Sequence, residues 1–510
     1  MIEKNDNIAK MRNMKNIFMN YNLKIKTFDS IKNFVKNDDG SWNNLENNAI
    51  YLSPFFKFNG DDIYAFLTTY NLHSCLFINF NKKEELIIKY HEVINEVKIY
   101  DYSSNQIINY SFKDNEFRFS VNECGNVTLF FNNNLNEPLT IFIKDNYRLK
   151  KDNKDIRVIT EEISDLGNIN INENETLLIK KGMYQVDTIT FNGNNSSLLF
   201  EDGVILKAKA PNDNKEKYLE IDWANEKRYR PFITNENANN NISIIGNAIF
   251  DLSSLPFHSR DTIFFHDISK LKIYGITTIN PCCWTYFIFR CKKVNIRNAA
   301  VFGYRQNSDA FIISDSQDVH VTDSFARSGD DLFEIKTLDS EEAKFLCKNI
   351  YFSRCFAWPD KTRGIGIIDE TKQSIKNVYF DSIIVYGASA YWQDALGSII
   401  VLSNNTNNKK IHINNINFNN IKVYNNQFYP INITNVNGGV INNINFSNIY
   451  YENTYPIRIN RFMGAGKIDN ISFNNIEVEN HIKMDNDKFI VSNNGKFKIK
   501  LNGNEITFKK

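Results

Sequence analysis

The stretch Gln306–Lys336, QNSDAFIISDSQDVHVTDSFARSGDDLFEIK, decides how the rest of the chain is read. It holds two short apolar strands, AFII at 310–313 and LFEI at 332–335. Each is entered through acidic residues, Asp309 for the first and the pair Asp330 and Asp331 for the second. Between them VHVTDSFA sets apolar residues at Val319, Val321 and Ala326. If the two strands lie on successive turns of one coil, their entering carboxyl groups become spatial neighbours.

Working outward, one template recurs to the C-terminus: apolar-x-apolar-x-x-small/apolar-x-apolar. It reads VNIRNAAV from 294, VHVTDSFA from 319, IYFSRCFA from 350, VYFDSIIV from 378, INFNNIKV from 416, INFSNIYY from 444 and ISFNNIEV from 471. Successive starts lie 25, 31, 28, 38, 28 and 27 residues apart. That period is too short for propeller blades, and no helical segment supports leucine-rich or ankyrin repeats. A further strand follows at fixed phase in each unit: TIFF, YFIF, AFII, LFEI, GIGI, SIIV, PINI, PIRI. Two short strands joined by an Asn or Ser corner, with another strand to follow, make one coil of a right-handed parallel β-helix. Asn suits the corners because it tolerates left-handed backbone and can ladder with its neighbours. The longer repeats extrude loops at 338–348 and 387–397, which are expected to wall a cleft.

Upstream the pattern is different. Residues 1–20 are polar and expected to be frayed. From 21 to 150 come short β-branched and aromatic segments such as AIYLSPFFKF, SCLFINF, NVTLFF and LTIFIK, broken by NGDD and NECG turns. Strands this dense without helical periodicity predict an N-terminal antiparallel β-sandwich, with the β-helix occupying 151–510. The fold class is therefore all-β. With 510 residues there is ample length for both units. The net charge of +1 gives no electrostatic reason for a nucleic-acid or membrane partner. Seven cysteines fit no metal or disulfide spacing and read as reduced, buried thiols. There is no secretory h-region and no apolar run long enough to span a membrane, so the chain as given reads as soluble and cytoplasmic, or as secreted had a signal been removed.

Counting two positions back from the first apolar residue of each following strand gives the column Asp261, Thr285, Asp309, Asp331, Arg363, Gly397, Tyr429, Tyr455. Parallel neighbours lie about 4.8 Å apart, so Asp309, Asp331 and Arg363 are expected on successive rungs. With Phe333 and Ile335 inward, Glu334 and Lys336 should face the cleft. A lone strand-end Asp caps a turn or binds calcium. Stacked carboxyl groups instead raise one another's pKa, an electrostatic cost that suits a hydrolase needing one carboxyl protonated and another ionised.

The run GNAIFDLSSLPFH at 246–258, then FFHDISKLKIYGITTINPCCWT, VFGYRQNSDAFII and SGDDLFEIK, resembles the polygalacturonase-type β-helix glycoside hydrolases over about residues 165–480. Asn307-Ser308-Asp309 and Asp330-Asp331 match that family's Asn-Thr-Asp and Asp-Asp motifs. The resemblance implies Asp330 as general acid, with Asp309 and Asp331 together activating water, and inversion at the anomeric carbon. Two departures stand out. Thr362-Arg363-Gly364 replaces Gly-His-Gly, and Ser398-Ile399-Ile400-Val401 replaces the Arg-x-Lys that grips a uronate. With the N-terminal sandwich, these make the chain more similar to the dextranase and isopullulanase family, which cleaves neutral α-glucans. A carbohydrate partner follows, with no cofactor and no metal. Substrate contacts are expected from Arg363, Lys336, Glu334, Asn307, Tyr304, Arg305, Trp284 and Trp392. Tyr391 and Asp394 share the 387–397 loop, while His258 and His266 read as structural. A pectin hydrolase, a polysaccharide lyase and a silent carbohydrate-binding β-helix remain the alternatives.

Overall fold

The computed structural model describes residues 50–505 apart from 81–84, 104–105, 146–155, 161, 163, 211–227, 238, 339–346, 389–396, 405–410, 438, 453–454, 463–465, 479–481, 484–488 and 492–497. Residues 1–20 and most of the two extruded loops, with Tyr391, Trp392 and Asp394, lie outside this set. Among the described residues there is no helix, so none long and apolar enough to cross a membrane.

From Ile156–Ile159 onward successive coils add strands to one right-handed parallel array, largely in register, with antiparallel additions at Ile482–Lys483 and Asn504–Glu505. In-register parallel pairing sets each residue over its equivalent one coil away. The third template position is therefore a column of rings: Phe352, Phe380, Phe418, Phe446 and Phe473 stack at 4.9 Å per step and within 8° of parallel. These offset stacks fill the core along the axis. The coils turn through left-handed corners of two kinds, one inside the template at Asn298, Asn420, Asn448 and Asn475 and one just before it at Asn349, Asn377, Asn415 and Asn443, with φ 51–59°. Their amides ladder as expected, Asn377 Nδ2 donating to Asn349 Oδ1 at 3.1 Å and Asn415 to Asn377 at 2.9 Å. All seven cysteines are free thiols.

The N-terminal unit is a nine-stranded sheet that closes on its own core, Phe56, Ile88, Phe117, Leu129 and Ile141 among others. It departs from a purely antiparallel sandwich at one place, where Leu72–Asn79 and Leu139–Lys144 run parallel. Its other face packs on the β-helix: Phe66 meets Phe302 at 5.1 Å and Phe142 meets Phe325 at 5.5 Å between ring centroids. Polar ties cross the same seam. Tyr102 Oη donates to Asp323 Oδ1 at 3.4 Å, and Asp323 also accepts from Arg297 and Arg354, each at 2.7 Å. Lys144 Nζ donates to the Asn298 carbonyl at 2.5 Å.

Lys144 is fully buried there, and burial pushes its ammonium down to about 7, with the Asp323 charge opposing. Between pH 7 and 10.5 the unfolded chain holds this proton and the folded protein releases it, so the Lys144 contribution rises with pH across that window. Urea unfolding of wild type and Lys144→Met should show the stability difference moving in favour of wild type by a few kcal/mol from pH 7 to 10. A difference that stays flat would mean the ammonium is not desolvated.

Candidate active site

The strands Phe311–Ser314, Phe333–Thr337 and Ile365–Thr371 pair with Phe311, Phe333 and Ile365 in one column. The residues two positions upstream are Asp309, Asp331 and Arg363, and Ala310 N donates to the Asp331 carbonyl at 2.8 Å to hold that register. One coil back, Tyr286 pairs with Phe311, so the column holds Trp284, not Thr285. Thr285 falls one step further on and is buried.

The cluster is compact. Oxygen atoms of Asp309, Asp331 and Glu334 all lie within 4.8 Å of one another. Arg363 grips Asp331 with both arms, Nε to Oδ1 at 2.8 Å and Nη2 to Oδ2 at 2.6 Å, and its backbone N–H adds a third bond at 3.2 Å. Lys336 Nζ sits 3.1 Å from Glu334 Oε2, 3.7 Å from Asp309 Oδ2 and 3.5 Å from Glu370 Oε2. The same ammonium lies 4.7 Å from the Trp284 ring centroid. Gly366, paired with Glu334 on one side, lets the next coil approach on the other: a Cβ there would stand 1.9 Å from the Ile400 carbonyl oxygen, at a φ of +144°. The three carboxyl groups are close enough for a cation, but Lys336 and Arg363 already meet their charge, so the set does not fit a divalent ion.

Asp330 stands apart. Its Oδ2 accepts from Asn307 N at 2.8 Å and its Oδ1 from Asp331 N at 3.0 Å. It is half-buried, whereas Asp309, Asp331 and Glu334 are buried. Asn307, at φ 54°, turns its amide to within 2.9 Å of His258 Nε2. Arg228 Nη2 is 3.0 Å from the same His258 nitrogen, and its Nη1 donates to Asp261 Oδ1 at 3.1 Å. The Arg228 guanidinium also lies 5.4 Å from the Trp284 ring. A polar chain thus runs behind the acids from Asp330 through Asn307 and His258 to Arg228.

The electrostatics divide the carboxyl groups. Burial pushes Asp309 up to about 6, with Lys336 pulling the other way and Asp331 adding to the rise. Asp330 is held well above the usual carboxylate range by burial and then by Asp309 and Asp331. Burial likewise raises Glu334 far above that range, against the Lys336 charge. Burial works against the Lys336 charge too, but Glu334, Glu370 and Asp309 outweigh it and keep the ammonium protonated. One half-buried acid that holds its proton more tightly than usual therefore borders carboxylates steadied by cations.

The expected site residues fall into three groups. Asp309, Asp330, Asp331, Arg363, Asn307 and Trp284 come together. Glu334 and Lys336 join them but, expected to face a cleft, are both buried: Glu334 shares its column with Phe287 and Ile312, and Lys336 lies against the Trp284 ring. Tyr304 and Arg305 point elsewhere. Tyr304 Oη accepts from Asn280 Nδ2 at 2.8 Å and packs against the seam with the N-terminal sheet. Arg305 donates to the Leu255 and Ser253 carbonyls at 2.8 and 3.1 Å, fixing the segment that carries His258. His266 stays beside Asp267 at 3.1 Å. His258, read as structural, and Arg228, unnoticed in the sequence, both belong to the site. Asp261 stood in the sequence column and was the one signal that could have led to Arg228.

The class these observations define is the right-handed parallel β-helix with an appended β-sheet domain. Among solved structures, Dex49A from Penicillium minioluteum matches with a TM-score of 0.56 at 11% identity, covering 89% of this chain and 95% of that one. An exopolygalacturonase from Thermotoga maritima matches with a TM-score of 0.46 at 13% identity, covering 65% and 85% of the two chains. A family 28 exopolygalacturonase from Yersinia enterocolitica gives 0.43 at 12% identity, covering 82% and 96%. The β-helix fold that the resemblance implies is met by the match to Dex49A. No family model matches the chain, and no curated protein matches its sequence.

Arg363→Met leaves the Asp331 carboxylate buried without its partner and should cost about 3–5 kcal/mol in urea unfolding. Adding Asp331→Leu should restore most of that stability. Equal stability of wild type and Arg363→Met would show that the pair is not desolvated.

Proposed function

We propose that the protein is an inverting glycoside hydrolase acting on α-linked poly- or oligosaccharides, with a neutral sugar at the scissile bond. The observation that carries this is the geometry of the cluster: a half-buried Asp330, held well above the usual carboxylate range by burial, beside Asp309 and Asp331, whose charges are answered by Lys336 and Arg363. Asp330 gives its proton to the glycosidic oxygen as the C1–O bond breaks. Water adds to C1 from the opposite face, its proton passing to the Asp309–Asp331 pair, so the new hemiacetal has inverted configuration. Asp330 regains a proton after product leaves. His258 and Arg228 act through Asn307, whose backbone N–H holds Asp330.

The neutral-sugar preference rests on where the cations are. Binding a uronate takes Arg or Lys. Here Arg363 has both arms on Asp331, and Lys336 is buried among Glu334, Asp309 and Glu370. The strand Ile399–Asn404 opens with Ile399, Ile400 and Val401, whose side chains cannot donate.

Release of reducing ends from a glycan panel, with α-glucan oligosaccharides beside oligogalacturonides, tests both parts. Faster cleavage of oligogalacturonides overturns the neutral preference, and a product absorbing in the near ultraviolet marks a lyase instead.

On the substrate so found, Asp330→Asn should lower kcat by about a thousandfold or more while KM changes little. Near-wild-type turnover would remove Asp330 from the acid's role. Because Asp309 must be ionised, kcat/KM should fall about tenfold per pH unit below about 6, and fall again at high pH as Asp330 loses its proton. A rate that keeps rising below pH 5 would contradict these roles.

A further inference from the structure

A cavity of about 340 Å³ opens at the seam between the N-terminal sheet and the β-helix, with none of the acid-cluster residues in its lining. Domain junctions are common ligand sites, and this volume lies at the small end of their range. Its floor is a buried ion pair. Arg327 Nε donates to both oxygens of Asp360, at 3.1 and 3.3 Å, and its Nη1 contacts Asn71 Oδ1 at 2.9 Å and His73 Nδ1 at 3.0 Å. The guanidinium also lies 4.0 Å from the Trp358 ring centroid and covers that face.

The Arg327 charge is met in full, so the floor offers nothing to an anion. The covered indole leaves little for an apolar ligand. What remains is the rim, where Asn136, Asn425 and Gln427 are exposed, with Tyr70 fixed across the cavity by its bond to the Asp360 carbonyl at 3.1 Å. Each side-chain amide presents a donor and an acceptor in fixed relation, the complement of neighbouring hydroxyl groups. A neutral polyhydroxylated ligand fits this lining.

The position narrows the ligand further. Arg327 precedes Asp330 by three residues and Asp360 precedes Arg363 by three, so each backbone spans at most about 10 Å between cavity floor and acid cluster. Asp360 N donates to the Ser328 carbonyl at 3.0 Å, tying the two coils where they turn.

We propose that the seam cavity is a remote subsite for uncharged sugar units of the chain that is cut at Asp330, built jointly by the β-helix and by the N-terminal residues Tyr70 and Asn136. This rests on the hydrolase function proposed above. The test uses the Asp330→Asn protein, titrated calorimetrically with maltohexaose and isomaltohexaose and with the matching disaccharides. Asn136→Trp, which fills the mouth from an exposed position, and Gln427→Ala, which removes one amide, should each weaken hexasaccharide binding about fivefold or more. The loss should shrink with the disaccharide, and the unfolding midpoint should stay unchanged. Hexasaccharide affinity that neither substitution alters, or no binding of either hexasaccharide, overturns the subsite. If the panel shows hydrolysis while these affinities are unaltered, the subsite alone fails. If no glycan is hydrolysed but Asn136→Trp still weakens binding, the catalytic function fails and the cavity stands.

Discussion

In-register parallel stacking is the constraint on which everything else here depends. With one coil laid on the next at about 4.8 Å, whatever occupies a position is repeated by its neighbour. For the phenylalanine column from Phe352 to Phe473 this is favourable, since offset rings attract and exclude water. For the corner asparagines it is again favourable, because an amide can donate to one neighbour and accept from the other. For Asp309 over Asp331 it is not. Two carboxyl groups one rung apart in a buried place repel, and the fold cannot move them apart without breaking the ladder.

The cluster is the chain's answer to that repulsion. Arg363, the next rung in the same column, neutralises Asp331 with a two-armed contact whose planarity a lysine could not match. Lys336, two residues beyond Glu334, lies between Glu334, Asp309 and Glu370. The remaining repulsion favours protons on the fully buried Glu334 and on the half-buried Asp330. Buried ion pairs of this kind add little to stability over an apolar core of equal volume. Their presence on three consecutive coils, and the run of Asn307, His258 and Arg228 behind Asp330, therefore fits a site held for chemistry.

Much of this was legible in the sequence because the β-helix writes its period into the chain. The apolar-x-apolar template with Asn four residues on from its start, as in VNIRN, located the coils, the corners and the Asp309–Asp331–Arg363 column. The errors have physical causes. In WTYFIF the strand entry is masked by consecutive aromatic residues, so the register slipped from Trp284 to Thr285. Alternation sends Glu334 and Lys336 outward, but outward is not exposed where Glu334 lies in a column with Phe287 and Ile312 and Lys336 lies against the Trp284 ring. His258 and Arg228 come from irregular segments with no periodicity, and only tertiary contact reveals their role. Tyr304 and Arg305 were placed by nearness in sequence, yet the coil turns between them and Asp309. The parallel pairing of Leu72–Asn79 with Leu139–Lys144 joins strands far apart in sequence, which no local pattern encodes.

The most direct measurement of the central claim, that Asp330 and the Asp309–Asp331 pair act from opposite faces of a glycosidic bond, is proton NMR of the first-formed products on a cleaved glycan. The account predicts a new anomeric proton of configuration opposite to the linkage cut, followed by slow mutarotation. A product of retained configuration, or vinyl protons of an unsaturated sugar, would contradict it.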